Sequence, residues 1–468
     1  MSNPLPSHDF LNQIGKILNA GQARTVALTG NIHDLFYSRD QKSETESSAS
    51  YVPLIDLLIN QWGKIDDRII IVYKLNGPVR FLSPKDREAI KFAWIEYRRG
   101  PNYAQVVLKQ LVSGNKSEPV DQDEGFEAYL KTAQENPAFA LEFLRQLCLC
   151  SRSASNGSPI ANKHLIVIIE RADLLMPDGE ISRLSDSDRH RIYVCHDWFS
   201  DFNFMNNQDS VVMIAESRSV INREIASLPQ ILEVEAPAPN LDQRLHFIDW
   251  YCEASGTSRP EFWSSANDLA ELTAGLSIYA LQQLLRGAAY EKKPLQPADV
   301  VAKVEAFIKS QLGEDVVEFK RPTHRLADII GFSRLKKFLL EEFMPRLKSS
   351  GPDTLTGAAV CGAIGGGKTF IFEAVAAELG IVVLVLKNMR SQWFGQTDVI
   401  FERFRRVLEA LSKVLIFVDE ADTQFGGVGP DTHETERRLT GKVQAMMSDS
   451  RLKGKVHWLL MTARIHQL

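Results

Sequence analysis

The sequence predicts an α/β protein built from two parallel-sheet modules in tandem, the first followed by a helical segment. Three observations carry this. Short apolar, β-prone runs alternate with helical patterns in both halves of the 468-residue chain. One such run, Leu355–Cys361, leads into Gly362-Ala363-Ile364-Gly365-Gly366-Gly367-Lys368-Thr369. Ile371, Val375 and Leu379 then recur at helical spacing, and Gly380 supplies a stop. Finally, Leu165–Ile169 with the Glu170-Arg171 that follows sets beside Val414–Val418 with Asp419-Glu420, position for position, as an internal repeat would.

Taken in order, the first half opens with a helix over Asp9–Ala20, whose Leu11, Ile14, Ile17 and Leu18 share a face. A strand over Thr25–Thr29 ends at Gly30-Asn31. Gln41–Ser50 is polar and Ser-rich and reads as a surface loop. A helix from about Val52 places Leu54, Ile55, Leu58, Ile59 and Trp62 on one side and stops at Gly63. Arg68–Leu75 is a strand. The long stretch Ser83–Ser158 holds helical patterns at Lys85–Arg98 and Phe139–Cys150, and polar loops at Ser113–Gly125 and Ser151–Ser158. Leu165–Ile169, Val211–Ala215 and Leu232–Glu235 are further strands, so residues 1–240 form the first module with an insertion at 83–158. Residues 241–312 are helical throughout, and 313–325 form a charged connector containing Pro322.

Residues 326–468 form the second module. A helix is expected over Ser333–Leu347. Strands are expected over Leu355–Cys361, Ile381–Leu386, Val414–Val418 and Val456–Met461, with helices over Val399–Leu411 and Glu434–Met447 between the later ones.

Bulk properties narrow the class. The length suits two or three domains. Apolar content of 44% and charge content of 24% are ordinary for a globular protein, and a net charge of −5 supplies no general attraction for nucleic acid. Cys148, Cys150, Cys195, Cys252 and Cys361 show no zinc spacing and read as buried free thiols in a reducing compartment. Met1–Phe10 has no basic start followed by an apolar core, so it is not a signal peptide. The longest apolar runs are strand-sized, so no membrane span is expected. A cytoplasmic protein follows.

The chemistry concentrates in the second module. Gly362–Thr369 fits the phosphate-binding pattern G-x-x-x-x-G-K-T between a strand and a helix. Glycines let backbone N–H groups turn toward a phosphate chain, and the helix N-terminus adds positive potential. Gly362, Gly365, Gly366, Gly367, Lys368, Thr369 and Phe370 form the candidate nucleotide-binding set. Lys368 would reach the β- and γ-phosphates, and the Thr369 hydroxyl would ligate Mg²⁺. Some fifty residues on, an apolar strand ends in Asp419-Glu420. Asp419 would hold Mg²⁺ through water, and Glu420 would polarise the attacking water, because phosphoryl transfer is mostly positioning and charge stabilisation. Catalysis would therefore rest on Lys368 and Glu420.

Between these motifs, Trp393-Phe394-Gly395 puts two aromatics before a glycine in a polar loop. The combination resembles the AAA+ ATPases, specifically the classical AAA type, over Leu326–Leu468. The resemblance implies ATP and Mg²⁺ as cofactors. It also implies a homo-oligomer, a hexameric ring in this family, in which Trp393, Phe394 and Gly395 line the pore and grip a protein substrate. Ala327-Asp328-Ile329-Ile330-Gly331 resembles the family's leading segment near the adenine, and Glu434–Arg438 its segment before the polar-sensor strand. Thr462 stands at that sensor, although Ala463 falls where the family usually has Asn. The family's fifth strand, arginine fingers and lid would follow Leu468, so the second module reads as truncated and ATP binding is indicated ahead of turnover.

The first module resembles a degenerate copy. Ala215-Glu216-Ser217-Arg218 sets beside Met461-Thr462-Ala463-Arg464. Thr29-Gly30-Asn31-Ile32-His33-Asp34-Leu35 replaces the phosphate loop, Asp34 would repel phosphate, and Arg171 cannot orient a water as a carboxylate would. Pro239–Arg244 and Leu269–Leu285, with Gly275-Leu276-Ser277, resemble the family's helical lid. The resulting expectation is an ATPase that remodels or threads a protein substrate, with a non-hydrolysing first module. A nucleotide-binding switch or assembly scaffold with little turnover is the alternative. A nucleic-acid motor is disfavoured, because no basic, aromatic-interleaved stripe is present.

Overall fold

Uncharged runs of Ile, Val and Leu make strands buried on both faces, and the chain uses them to build two sheets. The computed structural model describes residues 5–39, 49–99, 124–150, 154–155, 158–159, 163–256, 259–313, 316–320, 324–349, 354–363, 365–379, 381–387, 397–411, 413–422 and 434–464. The chain divides into two compact units, Ser7–Pro237 and the part from Ala238 onward.

The first unit contains β1 (Thr25–Gly30), β2 (Leu35–Arg39), β3 (Ala49–Pro53), β4 (Arg68–Lys74), β5 (Arg80–Phe81), β6 (Ala154–Ser155), β7 (Ser158–Pro159), β8 (His164–Glu170), β9 (Ser210–Ile214) and β10 (Ile231–Ala236). Its main sheet runs β10-β1-β9-β8-β4-β5, parallel except for the antiparallel edge β5. Alternate residues serve opposite layers. Val72, Ile168 and Val212 pack with Ile14 and Leu58 of helices Asp9–Asn19 and Leu54–Trp62. Ile71, Val167 and Met213 pack with Leu144 and Trp198 of helices Pro137–Cys150 and Asp186–Ser200. Each such fully buried aliphatic contributes about 1.5–3 kcal/mol, so the two sets hold helices on both faces.

Three sequence expectations change here. Ala49 and Ser50 belong not to a loop but to β3, which pairs with β2 in a hairpin; Val52 faces Phe36, so the helix begins only at Leu54. Glu124 and Gly125 open a helix, Glu124–Glu135, that fills its core side with Phe126 and packs Trp94 against Phe126 and Phe143. Two short strands, β6 and β7, pair within the region read as a polar loop.

The second unit begins with four helices, Leu241–Ala254, Ala266–Leu272, Ile278–Glu291 and Pro297–Leu312. Asn240 caps the first: its Oδ1 accepts from Gln243 N (2.9 Å), and Gln243 Oε1 accepts from Asn240 N (3.0 Å). Gly275, at φ 90°, makes the turn before the third helix. The sheet of this unit contains β11 (Val317–Lys320), β12 (Gly357–Cys361), β13 (Val382–Leu386), β14 (Val414–Val418) and β15 (Val456–Thr462), in the order β11-β13-β14-β15-β12. The expected connector at 313–325 therefore carries a strand: β11 pairs antiparallel with β13 and covers that edge. The helix expected over Ser333–Leu347 forms as Ser333–Phe338 and Met344–Lys348 joined by a π-turn at Leu339–Phe343. The wider turn lies just before Pro345, which cannot donate and would clash in a regular helix.

The sheets repeat one plan. β1-β9-β8-β4 in the first unit and β12-β15-β14-β13 in the second have the same relative order, and each ends on an antiparallel edge strand. Cys148, Cys195 and Cys252 are buried as expected, but Cys361 is exposed because β12 is only partly covered. No helix among the described residues is long and apolar enough to cross a membrane.

Candidate functional site

The site lies at the carboxyl ends of β12, β14 and β15, where ligands of open parallel sheets usually bind. β12 gives way to the glycine loop, and helix Lys368–Leu379 starts directly from it. That helix is held by Ile371, Phe372, Ala374, Val375 and Ala376, all buried. Gly365 and Gly367 both have φ 76°, a conformation that glycine takes without penalty. An added Cβ at either would meet nothing within 4 Å, so it is the backbone and not space that calls for glycine. Gly366 N donates to Ala363 O (3.1 Å), and Ile371 N donates to Gly367 O (3.0 Å). Gly365, Gly366 and Gly367 are exposed, so the concave side of the loop faces solvent. Ile364 lies outside the described residues.

Lys368 curls over the loop, and its Nζ donates to Gly362 O (2.8 Å) and Ala363 O (3.0 Å). Thr369 directs Oγ1 to Met461 Sδ on β15 (3.5 Å). Gly362 N donates to Thr462 O (3.2 Å), which ties the mouth of the loop to the end of β15. Phe370 is exposed on the helix, and the His324 ring stacks on its ring at 3.6 Å and 6°; His324 Nε2 also hydrogen bonds Phe370 O (2.6 Å).

Asp419 and Glu420 follow the fully buried β14 and are themselves exposed. Glu420 has φ 47°, and its N–H donates to Asp419 Oδ1 (2.9 Å). Thr462 is buried; its hydroxyl donates to Asp422 Oδ1 (2.7 Å) and accepts from Arg464 N (2.8 Å). Asp422 and His324 were not singled out in the sequence. Asp422 sits three residues after Asp419, on the next turn of chain, and that spacing was its only signal. His324 had none, because its partner is 46 residues away. Trp393, Phe394 and Gly395 lie outside the described residues, in the connection from β13 to helix Thr397–Ala410.

The corresponding corner of the first unit has the same backbone and different side chains. Gly30 N donates to Glu216 O (3.1 Å), as Gly362 N does to Thr462 O. Gly30 has φ 97°, and an added Cβ would lie 2.5 Å from Ala236 O. Past β1 the chain enters a hairpin strand, β2, not a helix. Asp34 is buried there, accepting from Asn31 Nδ2 (2.7 Å) and Leu35 N (2.8 Å). Glu170 pairs with Arg80. Arg171 has φ 55° and donates Nε (3.1 Å) and Nη2 (2.8 Å) to the Asp173 carboxylate, which raises the guanidinium pKa above its ordinary value.

The chain also resembles known proteins along most of its length. Residues 3–237 match the family described as the AAA+ chaperone N-terminal Rossmann-like domain. Residues 242–313 match the AAA+ chaperone second helical domain, and residues 358–468 match the ATPase family associated with various cellular activities. Spastin of Dictyostelium discoideum is 24% identical over 185 residues, 37% of this chain and 28% of that protein. Spastin of Xenopus tropicalis is 27% identical over 176 residues, covering 33% and 29%. The meiotic spindle formation protein mei-1 of Caenorhabditis elegans is 29% identical over 161 residues, covering 32% and 33%. The chain thus spans a third or less of the length of these relatives. A repeated parallel sheet, a glycine loop leading into a buried helix, and three consecutive family matches agree: this chain belongs to the AAA+ ATPase family.

Proposed function

We propose that the second unit binds ATP with Mg²⁺ and hydrolyses it to remodel or thread a protein substrate within a ring of identical chains. The first unit acts as a non-hydrolysing structural partner. The observation that carries this reading is the convergence of Lys368, Thr369, Asp419 and Glu420 at neighbouring strand ends, with Gly362 bound to Thr462. The donor set suits Mg²⁺. A hydroxyl and a carboxylate are hard oxygen ligands, and Mg²⁺ ordinarily takes only one or two protein oxygens beside substrate phosphates and water. Thr369 and Asp419 would hold it, and when bound it neutralises charge on the phosphates.

This chain's own residues supply the rest. Lys368 exchanges its two loop carbonyls for phosphate oxygens. The N–H groups of Gly365, Gly366 and Gly367 accept the phosphate chain. Glu420 orients water against the terminal phosphorus. In the first unit Asp34 and Arg171 occupy the corresponding places, and neither can perform those tasks. Trp393-Phe394-Gly395 is proposed as the grip on the substrate protein, from the family resemblance.

A second reading, a nucleotide-dependent switch or assembly scaffold with little turnover, is favoured by one observation. The Thr462 hydroxyl is committed to Asp422, and Ala463 offers no amide to position water. Glu420→Gln separates the two readings. Under the first, ATP stays bound and phosphate release stops. Under the second, nucleotide-dependent assembly is unchanged, and wild-type phosphate release is already negligible.

A further inference from the structure

At the other end of the first sheet, away from Gly30, Glu170 and Glu216, the amino ends of β1, β9, β8 and β4 open onto a cleft of about 240 Å³. Arg24 precedes β1, Arg68 opens β4 and His164 opens β8; Asp67, Asn19 and Gln208 complete its polar wall. Two guanidiniums stand there against one carboxylate. That carboxylate compensates weakly. Asp67 Oδ1 is 3.7 Å from Arg68 Nε, and its side chain is 59% exposed while that of Arg68 is 18% exposed. A pair with its anion in water and its cation partly out of it contributes little. Arg68 Nη2 donates instead to the neutral Asn19 Oδ1 (3.2 Å). A guanidinium carries five N–H donors in a planar fork, so Arg68 retains capacity for an oxyanion.

The wall is also fixed in place. Arg24 Nη1 donates to Leu18 O (3.0 Å), Val211 N to Arg24 O (2.8 Å), His164 N to Asp67 O (2.8 Å) and Leu165 N to Asp209 Oδ1 (2.8 Å). These bonds hold the strand ends and the cationic side chains in register before any ligand arrives, which lowers the cost of binding.

We infer that this cleft binds a small phosphomonoester, its phosphate on Arg68 and Arg24 and its polar body against Asn19 and Gln208. Planar guanidiniums match phosphate geometry and bind it more strongly than neutral donors do. The volume exceeds that of a lone phosphate and falls short of a nucleotide-sized pocket. The site is separate from the glycine loop, which lies in the other unit and at strand carboxyl ends.

The test uses the full chain carrying Lys368→Ala, so that the glycine loop does not contribute, with glycerol 3-phosphate, inorganic phosphate and glycerate as titrants in calorimetry. Glycerol 3-phosphate should bind saturably and more tightly than glycerate. Arg68→Gln should weaken it by about tenfold or more. Gln208→Glu, an exposed substitution that should leave the melting temperature unchanged, should weaken it comparably by placing a like charge beside the phosphate. The inference is overturned by absence of saturable binding in the Lys368→Ala chain, by equal affinity for glycerate, or by an affinity that Gln208→Glu does not alter.

Discussion

Arg171 and Glu420 occupy the same left-handed backbone position, at φ 55° and 47°, each directly after the acidic residue at the end of a central strand. A side-chain-bearing residue in this conformation costs about 1–2 kcal/mol. Its recurrence at matched places shows that the two units share a backbone corner and differ in what it carries. Glu420 presents a carboxylate beside Asp419. Arg171 presents a guanidinium bound to Asp173.

The two corners differ enough that ATP should occupy one site per chain. Lys368→Ala should abolish measurable binding, because no second glycine loop exists to replace it. Arg171→Glu should add no site, since Asp34 and the hairpin at β2 remain where phosphates would need N–H donors. Equilibrium dialysis against ATP measures both. A second equivalent of nucleotide in either wild type or Arg171→Glu would refute the assignment of the first unit.

Asp422 should matter to turnover more than to affinity. It accepts the Thr462 hydroxyl bond and thereby fixes the end of β15, to which Gly362 N is also attached. Asp422→Ala leaves Thr462 buried without that acceptor. A lost positioning bond of about 1–1.5 kcal/mol corresponds to about a tenfold fall in kcat. The dissociation constant for ATP should change by less than about threefold, since the residue touches no proposed phosphate ligand. A large loss of affinity with unchanged kcat would place Asp422 in binding instead.

The strands that build the site were legible because they are short uncharged runs with no competing reading: Leu165–Ile169, Val211–Ile214 and Val414–Val418 are buried throughout. Edges were not legible. Val317-Glu318-Phe319-Lys320 alternates weakly and becomes a strand only because Leu384 and Leu386 of β13 offer it a ladder. β3 begins in a Ser-rich segment whose composition suggested a loop, and it is fixed by Leu35–Arg39 across the hairpin. The glycine loop, Asp419 and Glu420 were found from their own spacing. The Thr462–Asp422 bond and the His324–Phe370 stack were not, because contacts across 40 and 46 residues leave no periodic trace.

The helical segment after Pro237 should depend on Arg244. Its guanidinium is buried, donates Nη1 to Pro239 O (2.6 Å) and Nε to Ala270 O (3.1 Å), and is pushed down to about 10 by burial. Its partners are neutral, so replacing it leaves no orphaned charge. Arg244→Met keeps the apolar stem and loses the two bonds, a cost of about 1–3 kcal/mol. Recovered desolvation of the cation offsets part of this. Arg244→Ala should cost more, because the stem packing is lost as well. Hydrogen exchange across Leu241–Ala254 reads the local effect; equal protection in wild type and Arg244→Ala would show that the bonds are dispensable.

Acid should weaken the second unit through His457. The ring is fully buried on β15, and its Nδ1 hydrogen bonds Leu355 O (2.7 Å), so Nδ1 carries the proton and donates. Nε2 has no hydrogen-bond partner. Burial lowers the pKa below its ordinary value, the bond to Leu355 opposes this, and Lys413 adds to the lowering. The sign follows directly. The unfolded chain takes up a proton near 6.5, whereas the folded chain resists until lower pH. Stability is therefore retained above about 6.5 and lost as pH falls from there toward the folded value, with a slope of up to about 1.4 kcal/mol per pH unit from this group. His457→Gln replaces the titrating ring with an amide that retains a donor for Leu355 O. Its stability should start lower at pH 7.5, because the amide packs less well, but decline less between pH 6.5 and 5 than that of wild type. Urea unfolding at each pH measures the difference. Parallel profiles for the two proteins would show that His457 does not titrate on unfolding in this range.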